Sequence, residues 1–138
     1  MKDVLVKDIM SSTLHTVIEF EPLAIVQNLM KEHKIHHVPV MAEGQIVGII
    51  SSAAVERSKN GSSLFVNHNI EEQNKTLLAV ILAGSIMTKV VETISQNDTM
   101  YNAYLIFKGN SFRSLPVMDG DMLVGIVTPM DFLDHFFK

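Results

Sequence analysis

Two groups of residues in this 138-residue chain have the types and spacing to form a site. The first is Gly125-Ile126-Val127-Thr128-Pro129-Met130-Asp131. A carboxylate at Asp131 can accept hydrogen bonds from both hydroxyls of a ribose diol. Thr128, at a helix start marked by Pro129, can bond ribose or phosphate beside free backbone N–H groups. Gly125 would let a strand backbone approach a base closely. The same Thr-x-x-Asp spacing is also a capping box, which serves the helix with no ligand at all.

The second group is His33, His36 and His37, with His15 upstream. If one helix ran through them, i, i+3 and i+4 would share a face and, with His15, could hold zinc or another divalent ion. Pro39 follows closely and should already be turning the segment into strand, so pH-sensitive or phosphate-facing histidines are the blander alternative. No metal or other required cofactor is expected. Asp134 and His135 near the C-terminus have no nucleophile paired with them, and no glycine-rich loop opens a Rossmann-type helix. An enzyme is not expected.

Composition narrows the class further. Hydrophobic residues make up 47% and charged residues 19%, with 7 glycines and 4 prolines, which excludes disorder and collagen-like structure. Eleven basic and fifteen acidic residues give a net charge of −4, which argues against nucleic acid or an anionic membrane as partner. The only arginines are Arg57 and Arg113. The absence of cysteine removes disulfides, thiolate nucleophiles and cysteine-based metal sites. The longest apolar run, Leu77 to Ala83, is far short of the ~18 residues of a membrane-spanning helix. With nine methionines and no signal-like start, a soluble cytoplasmic protein is expected.

The elements that must position these groups come in duplicate. Residues 6–58 and 83–135 align without a gap at an offset of 77: Ile9-Met10 on Ile86-Met87, Thr16 on Thr93, Pro39-Val40-Met41 on Pro116-Val117-Met118, and Val47-Gly48-Ile49 on Val124-Gly125-Ile126. Each copy predicts a short strand at Thr16-Val17 or Thr93-Ile94. A helix follows, with one buried face formed by Leu23, Val26, Leu29 and Met30, or by Met100, Ala103, Ile106 and Phe107. Pro22 suits the first helical turn in copy one, and Asp98 an N-cap in copy two.

Two strands come next, Val38–Met41 and Ile46–Ile50 joined at Ala42-Glu43-Gly44-Gln45, then Leu115–Met118 and Leu123–Val127 joined at Asp119-Gly120-Asp121. The second strand of each pair is almost wholly apolar, so burial on both faces is expected. A helix closes each copy, from near Ser52 and near Pro129. This gives repeat one at 1–58, a connecting loop and helix at 59–82, and repeat two at 83–138. Lys59-Asn60-Gly61-Ser62-Ser63 reads as loop and Ile70 to Ala83 as helix. That helix carries an apolar wall, Leu77, Leu78, Val80, Ile81 and Leu82, wider than one small core needs and suited to a subunit interface. Phe132, Phe136 and Phe137 read as core or dimer contacts.

The order strand, helix, strand, strand, helix, twice over, resembles the cystathionine β-synthase (CBS) domain. The Ile-Met near each start, the hydrophobic-Pro-Val strand, and Val-Gly-Ile-Ile-Ser or Val-Gly-Ile-Val-Thr-Pro-Met-Asp carry the likeness. Two in tandem look like a Bateman module covering nearly the whole chain. The resemblance implies an α+β fold of tandem βαββα repeats, with two small mixed sheets about a pseudo-two-fold axis. It also implies a regulatory sensor that binds an adenosine-containing ligand, AMP, ADP, ATP or S-adenosylmethionine, in an inter-repeat cleft. A homodimer and a separate effector protein are the expected partners. A ligand-free interaction scaffold is the alternative.

Gly125 to Asp131 matches the family's Gly-x-x-Thr-x-x-Asp nucleotide motif. In copy one the position of Asp131 is Ala54, whose side chain can accept no hydrogen bond from a ribose, so the resemblance assigns the ligand to the cleft that Asp131 serves. Carried over by position, the opposite wall is Met10, Thr13 and His15, then Ile35, His36 and His37, facing Ile126, Thr128, Met130 and Asp131. Arg113, three residues before Pro116, holds the place where the family often puts a phosphate-binding basic residue, and His36 holds the matching place in copy one. His15 and His37 depart from the family's usual base-lining residues.

Overall fold

In the computed structural model, residues 4–60, 70–90 and 92–137 are described. The first copy and its lead-in run α1 (Val6–Ile9), β1 (Val17–Ile18), α2 (Leu23–His33), β2 (His37–Ala42), β3 (Gln45–Ser51) and α3 (Ser52–Asn60). Next come α4 (Ile70–Val80), α5 (Ala83–Ile86) and β4 (Thr88–Lys89). The second copy runs β5 (Ile94–Ser95), α6 (Met100–Gly109), β6 (Leu115–Asp119), β7 (Met122–Val127) and α7 (Pro129–Phe137). The fold is mixed α+β with two small mixed sheets, as the resemblance implied. Among the described residues, no helix is long and apolar enough to cross a membrane.

Contacts divide the chain into two units, and the division crosses the repeat boundary. Residues 15–89 form one unit around copy one, while the described residues before His15 join those after Lys89 around copy two. Backbone hydrogen bonds show why. Val6 N donates to Asp98 O at 2.8 Å, Lys7 N to Gln96 O at 3.0 Å and Met100 N to Val4 O at 2.7 Å. The positions 77 residues away repeat the pattern: Ala83 N donates to Glu21 O at 2.8 Å, Gly84 N to Glu19 O at 2.8 Å and Leu23 N to Ile81 O at 2.9 Å. The lead-in of each copy is therefore built into the other copy's unit.

The unit around copy one holds a sheet of order β1-β2-β3-β4, with β1 parallel to β2 and the remaining pairs antiparallel. Its core gathers Val17, Leu23, Val26, Val38, Val40, Ile50, Val55 and Leu78. The unit around copy two holds β5-β6-β7, again parallel then antiparallel, over a core of Val6, Ile94, Ala103, Leu115, Val117 and Val127. Both hairpins carry a bulge at the same place, after Val40 and after Val117. Glu43 and Gly44 both take positive φ in the first hairpin turn, and Gly120 does so in the second.

Several expectations are corrected. The first strands sit one residue later than expected, at Val17–Ile18 and Ile94–Ser95, because these are the residues in register with Val40-Met41 and Val117-Met118. Pro22 is the N-cap residue of α2 rather than part of its first turn, with an extended ψ of 150°. In copy two the N-cap is Thr99, whose hydroxyl accepts from Asn102 N at 3.1 Å. Asp98 supports it by accepting from Thr99 N at 2.8 Å and from the Asn102 side chain.

The second strands are buried only in their later halves, Gly48–Ile50 and Gly125–Val127, because their first residues lie beyond the bulge at the open hairpin end. Lys59 and Asn60 are helical in α3, with Lys59 ion-paired to Glu56 at 3.1 Å; Gly61 to Ser63 lie outside the described residues. The connecting helix stops at Val80. Its apolar wall is split, with Leu78 buried, Ile81 packed against the core, and Val80 and Leu82 exposed. Phe132 packs against the core of its unit, edge-on to Phe107 at 5.9 Å, whereas Phe136 and Phe137 are exposed.

Candidate functional site

The residues singled out from sequence fall into two groups, one in each unit. Around copy two, α7 begins at Pro129 and its first turn folds Asp131 back onto Thr128. Thr128 N donates to Asp131 Oδ2 at 2.8 Å, Thr128 Oγ1 donates to the same oxygen at 3.3 Å, and Asp131 N donates to Thr128 O at 3.0 Å. The carboxylate thus satisfies an N–H at the head of α7 that the helix itself leaves orphaned. Both side chains are partly buried, which holds the carboxylate in one orientation.

Copy one solves the same helix start differently. Ser51 Oγ accepts from Ala54 N at 3.1 Å, so the cap comes from the residue before the helix and Ala54 turns into the core. The two acceptors therefore serve different N–H groups of the same turn: Ser51 Oγ takes that of Ala54, whereas the Asp131 carboxylate takes that of Thr128, the counterpart of Ser51. Copy two alone presents a carboxylate there.

Met10 and Ser11 lie against β7. Ser11 N donates to Ile126 O at 2.9 Å and Ile126 N to Ser11 O at 3.0 Å, adding a one-residue bridge to the strand edge. A Cβ on Gly125 would fall 2.5 Å from Met10 Sδ and 2.9 Å from Ser11 O. Gly125 is therefore a packing glycine for this segment, which corrects the expectation that its bare backbone faces a base. Ile126 is buried, Met130 and Thr13 are exposed, and Arg113 is exposed in the bend before β6.

Around copy one, His15 stacks on His33 with ring centroids 3.5 Å apart and planes 10° from parallel. His33 is the last residue of α2. Lys34 follows at φ 54°, a left-handed residue that ends the helix, with Lys34 N and Ile35 N both donating to Met30 O. His36 and His37 therefore leave the helix direction, so the single His33, His36, His37 face does not form. Among the described residues, no group of three or more His, Cys, Asp or Glu could hold a metal ion.

His36 is tied to the start of α3. Its carbonyl accepts from Ser52 N at 2.9 Å, and its Nδ1 lies 3.4 Å from Ser52 Oγ. His37 opens β2 opposite Ser51. Burial holds its imidazole below the ordinary histidine range, and the neighbouring His36 lowers it further. Ile35 packs partly buried against the copy-one core.

Sequence reasoning missed two partners, Ser11 on Ile126 and Ser52 on His36, and grouped His15 with His33 as possible metal ligands where they meet as stacked rings. A signal for the first was present, since Met10 and Met87 stand at the same offset as Gly125 and Gly48.

A family model for the CBS domain matches residues 6–57 and 83–138. The chain belongs to the CBS domain family and carries two copies of the domain. An uncharacterised protein of Methanocaldococcus jannaschii, MJ1225, is 30% identical over 117 residues, covering 84% of this chain and 41% of that protein. The chain thus spans less than half of that relative. The CBS domain of a CBS domain-containing membrane protein from Sphaerobacter thermophilus superposes with a TM-score of 0.81 at 27% identity, over 96% of this chain and 88% of that one. The CBS domain pair of protein MJ0100, solved with 5′-methylthioadenosine and S-adenosyl-L-methionine, gives 0.75 at 26% identity, over 97% and 96%.

Proposed function

We propose that this chain is a regulatory module that binds an adenosine-containing ligand, AMP, ADP, ATP or S-adenosylmethionine, with Asp131 as the ribose acceptor. The observation that carries the reading is the Asp131 carboxylate fixed at the head of α7 by Thr128 N. A carboxylate offers about four lone-pair sites on two oxygens, so taking the cap does not exhaust its acceptor capacity. A diol bonded to a charge that is already oriented loses little entropy in the acceptor, which favours binding. The likeness to the MJ0100 pair, whose solved complex holds two such ligands, supports the ligand class.

Met10, Thr13, Ile126, Thr128 and Met130 are the other contacts proposed from copy two's unit, with Arg113 for phosphate. His15, Ile35, His36 and His37 are proposed from copy one. The module acts without catalysis of its own, self-associates as a homodimer in the cytoplasm, and passes ligand occupancy to a separate effector. Calorimetric titration with the four ligands tests the reading.

A second reading has its own observation. The Thr128–Asp131 geometry is a complete cap without a ligand, and Ala54 shows that the position can lose its carboxylate. On that reading the chain is an interaction scaffold, and Asp131→Ala lowers the melting temperature with no effect on any small molecule.

A further inference from the structure

His15 and His33 meet where the chain passes from one unit to the other. The lead-in is held to copy two's unit by the Ser11–Ile126 bridge, and His15 is the first residue that belongs to copy one's unit. Between them, Ser12, Thr13 and Leu14 form neither helix nor strand. His15 is half-buried, and its ring lies flat on that of His33, the exposed last residue of α2, at 3.5 Å and 10°.

The repeat supplies a comparison inside the same molecule. The positions 77 residues on are Glu92 and Asn110, both exposed and without rings to stack. Copy two folds without the contact, so the repeat itself does not require it.

Imidazole is the side chain whose charge ordinarily changes between about pH 5 and 8. Stacked rings attract when both are neutral, and also when one is charged, because a cation over a π face is attracted to it. With both charged, two positive rings 3.5 Å apart repel, well inside the ~8 Å over which physiological salt screens charge. Lys31, Glu32 and Lys34 flank His33 in sequence. The described side chains on the elements packed against α2 add His36 and His37 at the head of β2, Glu56, Arg57 and Lys59 on α3, and Lys75 on α4. Two of these groups are carboxylates, and Glu56 is ion-paired to Lys59. Among the described residues neither ring is ion-paired to a carboxylate, so a second proton on the pair finds no fixed counter-charge.

We propose that the His15–His33 stack is a pH-sensitive clasp that fixes the crossing segment to copy one and opens when both rings carry a proton. As pH falls through the ordinary histidine range, the second proton separates the rings and frees His15, and with it Ser12 to Leu14, while β1 and α2 keep their places. His15 is also among the proposed ligand contacts, but the clasp needs no ligand to open or close.

Nuclear magnetic resonance on the full chain without ligand tests it. At pH 7.5 the wild type should show the His15 Hε1 signal upfield of its position in His33→Ala, with a ring-to-ring nuclear Overhauser contact. Both should be lost by pH 5, while the amide signals of Val38 and Val40 stay where the folded sheet puts them. His33→Phe, whose ring takes no proton, should keep both at pH 5, and His37→Gln should behave as wild type. Salt at ~1 M should move the opening to lower pH, because the repulsion is then screened within ~3 Å. Stacking signals that are absent at pH 7.5, unchanged at pH 5, or lost equally in His33→Phe would each overturn the proposal. So would opening that coincides with loss of the Val38 and Val40 signals, which is unfolding of the unit rather than release of a clasp.

Discussion

Met10 fills the space that a side chain on Gly125 would need, and Met87 stands in the same relation to Gly48. The two pairs are 77 residues apart, and in each the methionine comes from the lead-in of the opposite copy. They differ in one respect. The three nearest atoms at Gly48 all belong to the Met87 side chain, whereas at Gly125 one of them is the Ser11 carbonyl oxygen.

That difference predicts unequal rescue. Gly48→Ala and Gly125→Ala should each destabilise their unit by about 1–3 kcal/mol through overpacking. Adding Met87→Gly, which removes the crowding Sδ, Cγ and Cβ together, should recover most of the overpacking at Gly48. Adding Met10→Ala should recover little at Gly125, because the backbone oxygen cannot move aside without breaking the Ser11–Ile126 bridge. Urea unfolding of the four variants checks this, and equal rescue at both sites would contradict it.

The split wall of α4 gives a second contrast. Leu78 is 4% exposed and Val80 is 66% exposed, one turn-face apart. Leu78→Ala should cost about 2–4 kcal/mol, and Val80→Ala should stay within about 0.5 kcal/mol of wild type. Comparable losses would mean that α4 does not seal the copy-one core through Leu78.

His37 makes stability depend on pH. Burial, and secondarily His36, hold its folded pKa below the ordinary 6.5, so the unfolded chain binds the proton more readily. Stability therefore rises with pH in this window. The contribution is fully present above about 6.5 and is lost as pH falls from there toward the lowered folded value. His37→Gln should flatten the melting temperature between pH 7.5 and 5 relative to wild type. A slope unchanged by the substitution would remove His37 as its source.

The repeat, the hairpins and the helix starts at Ser52 and Pro129 were legible in the sequence because they rest on local signals: alternating apolar residues, turn glycines and caps. The grouping of lead-ins with opposite copies came only through the family resemblance, which set Met10 and Thr13 against Ile126, since it depends on long-range backbone bonds such as Val6 N to Asp98 O that leave no periodic trace. The same applies at the site. Thr128 and Asp131 are three apart and their contact follows from spacing, but the His15–His33 stack joins residues eighteen positions apart in sequence. The histidine face, open only if one helix ran through His33, His36 and His37, ends at one residue, Lys34, whose left-handed backbone no composition rule singles out.

On the proposed function, the fixed carboxylate of Asp131 reads a ribose. Isothermal titration of wild type, Asp131→Ala, Asp131→Asn and Ala54→Asp with AMP, ADP, ATP and S-adenosylmethionine measures it most directly, with melting curves run alongside to separate cap from ligand. Saturable binding of at least one ligand is expected. That binding should weaken at least ~10-fold, about 1.4 kcal/mol, in Asp131→Ala. Asp131→Asn, which keeps a cap acceptor but not the charge, should weaken binding with a smaller loss of melting temperature, and Ala54→Asp should leave affinity nearly unchanged. Absence of binding by all four ligands at millimolar concentration, or wild-type affinity in Asp131→Ala, would contradict it.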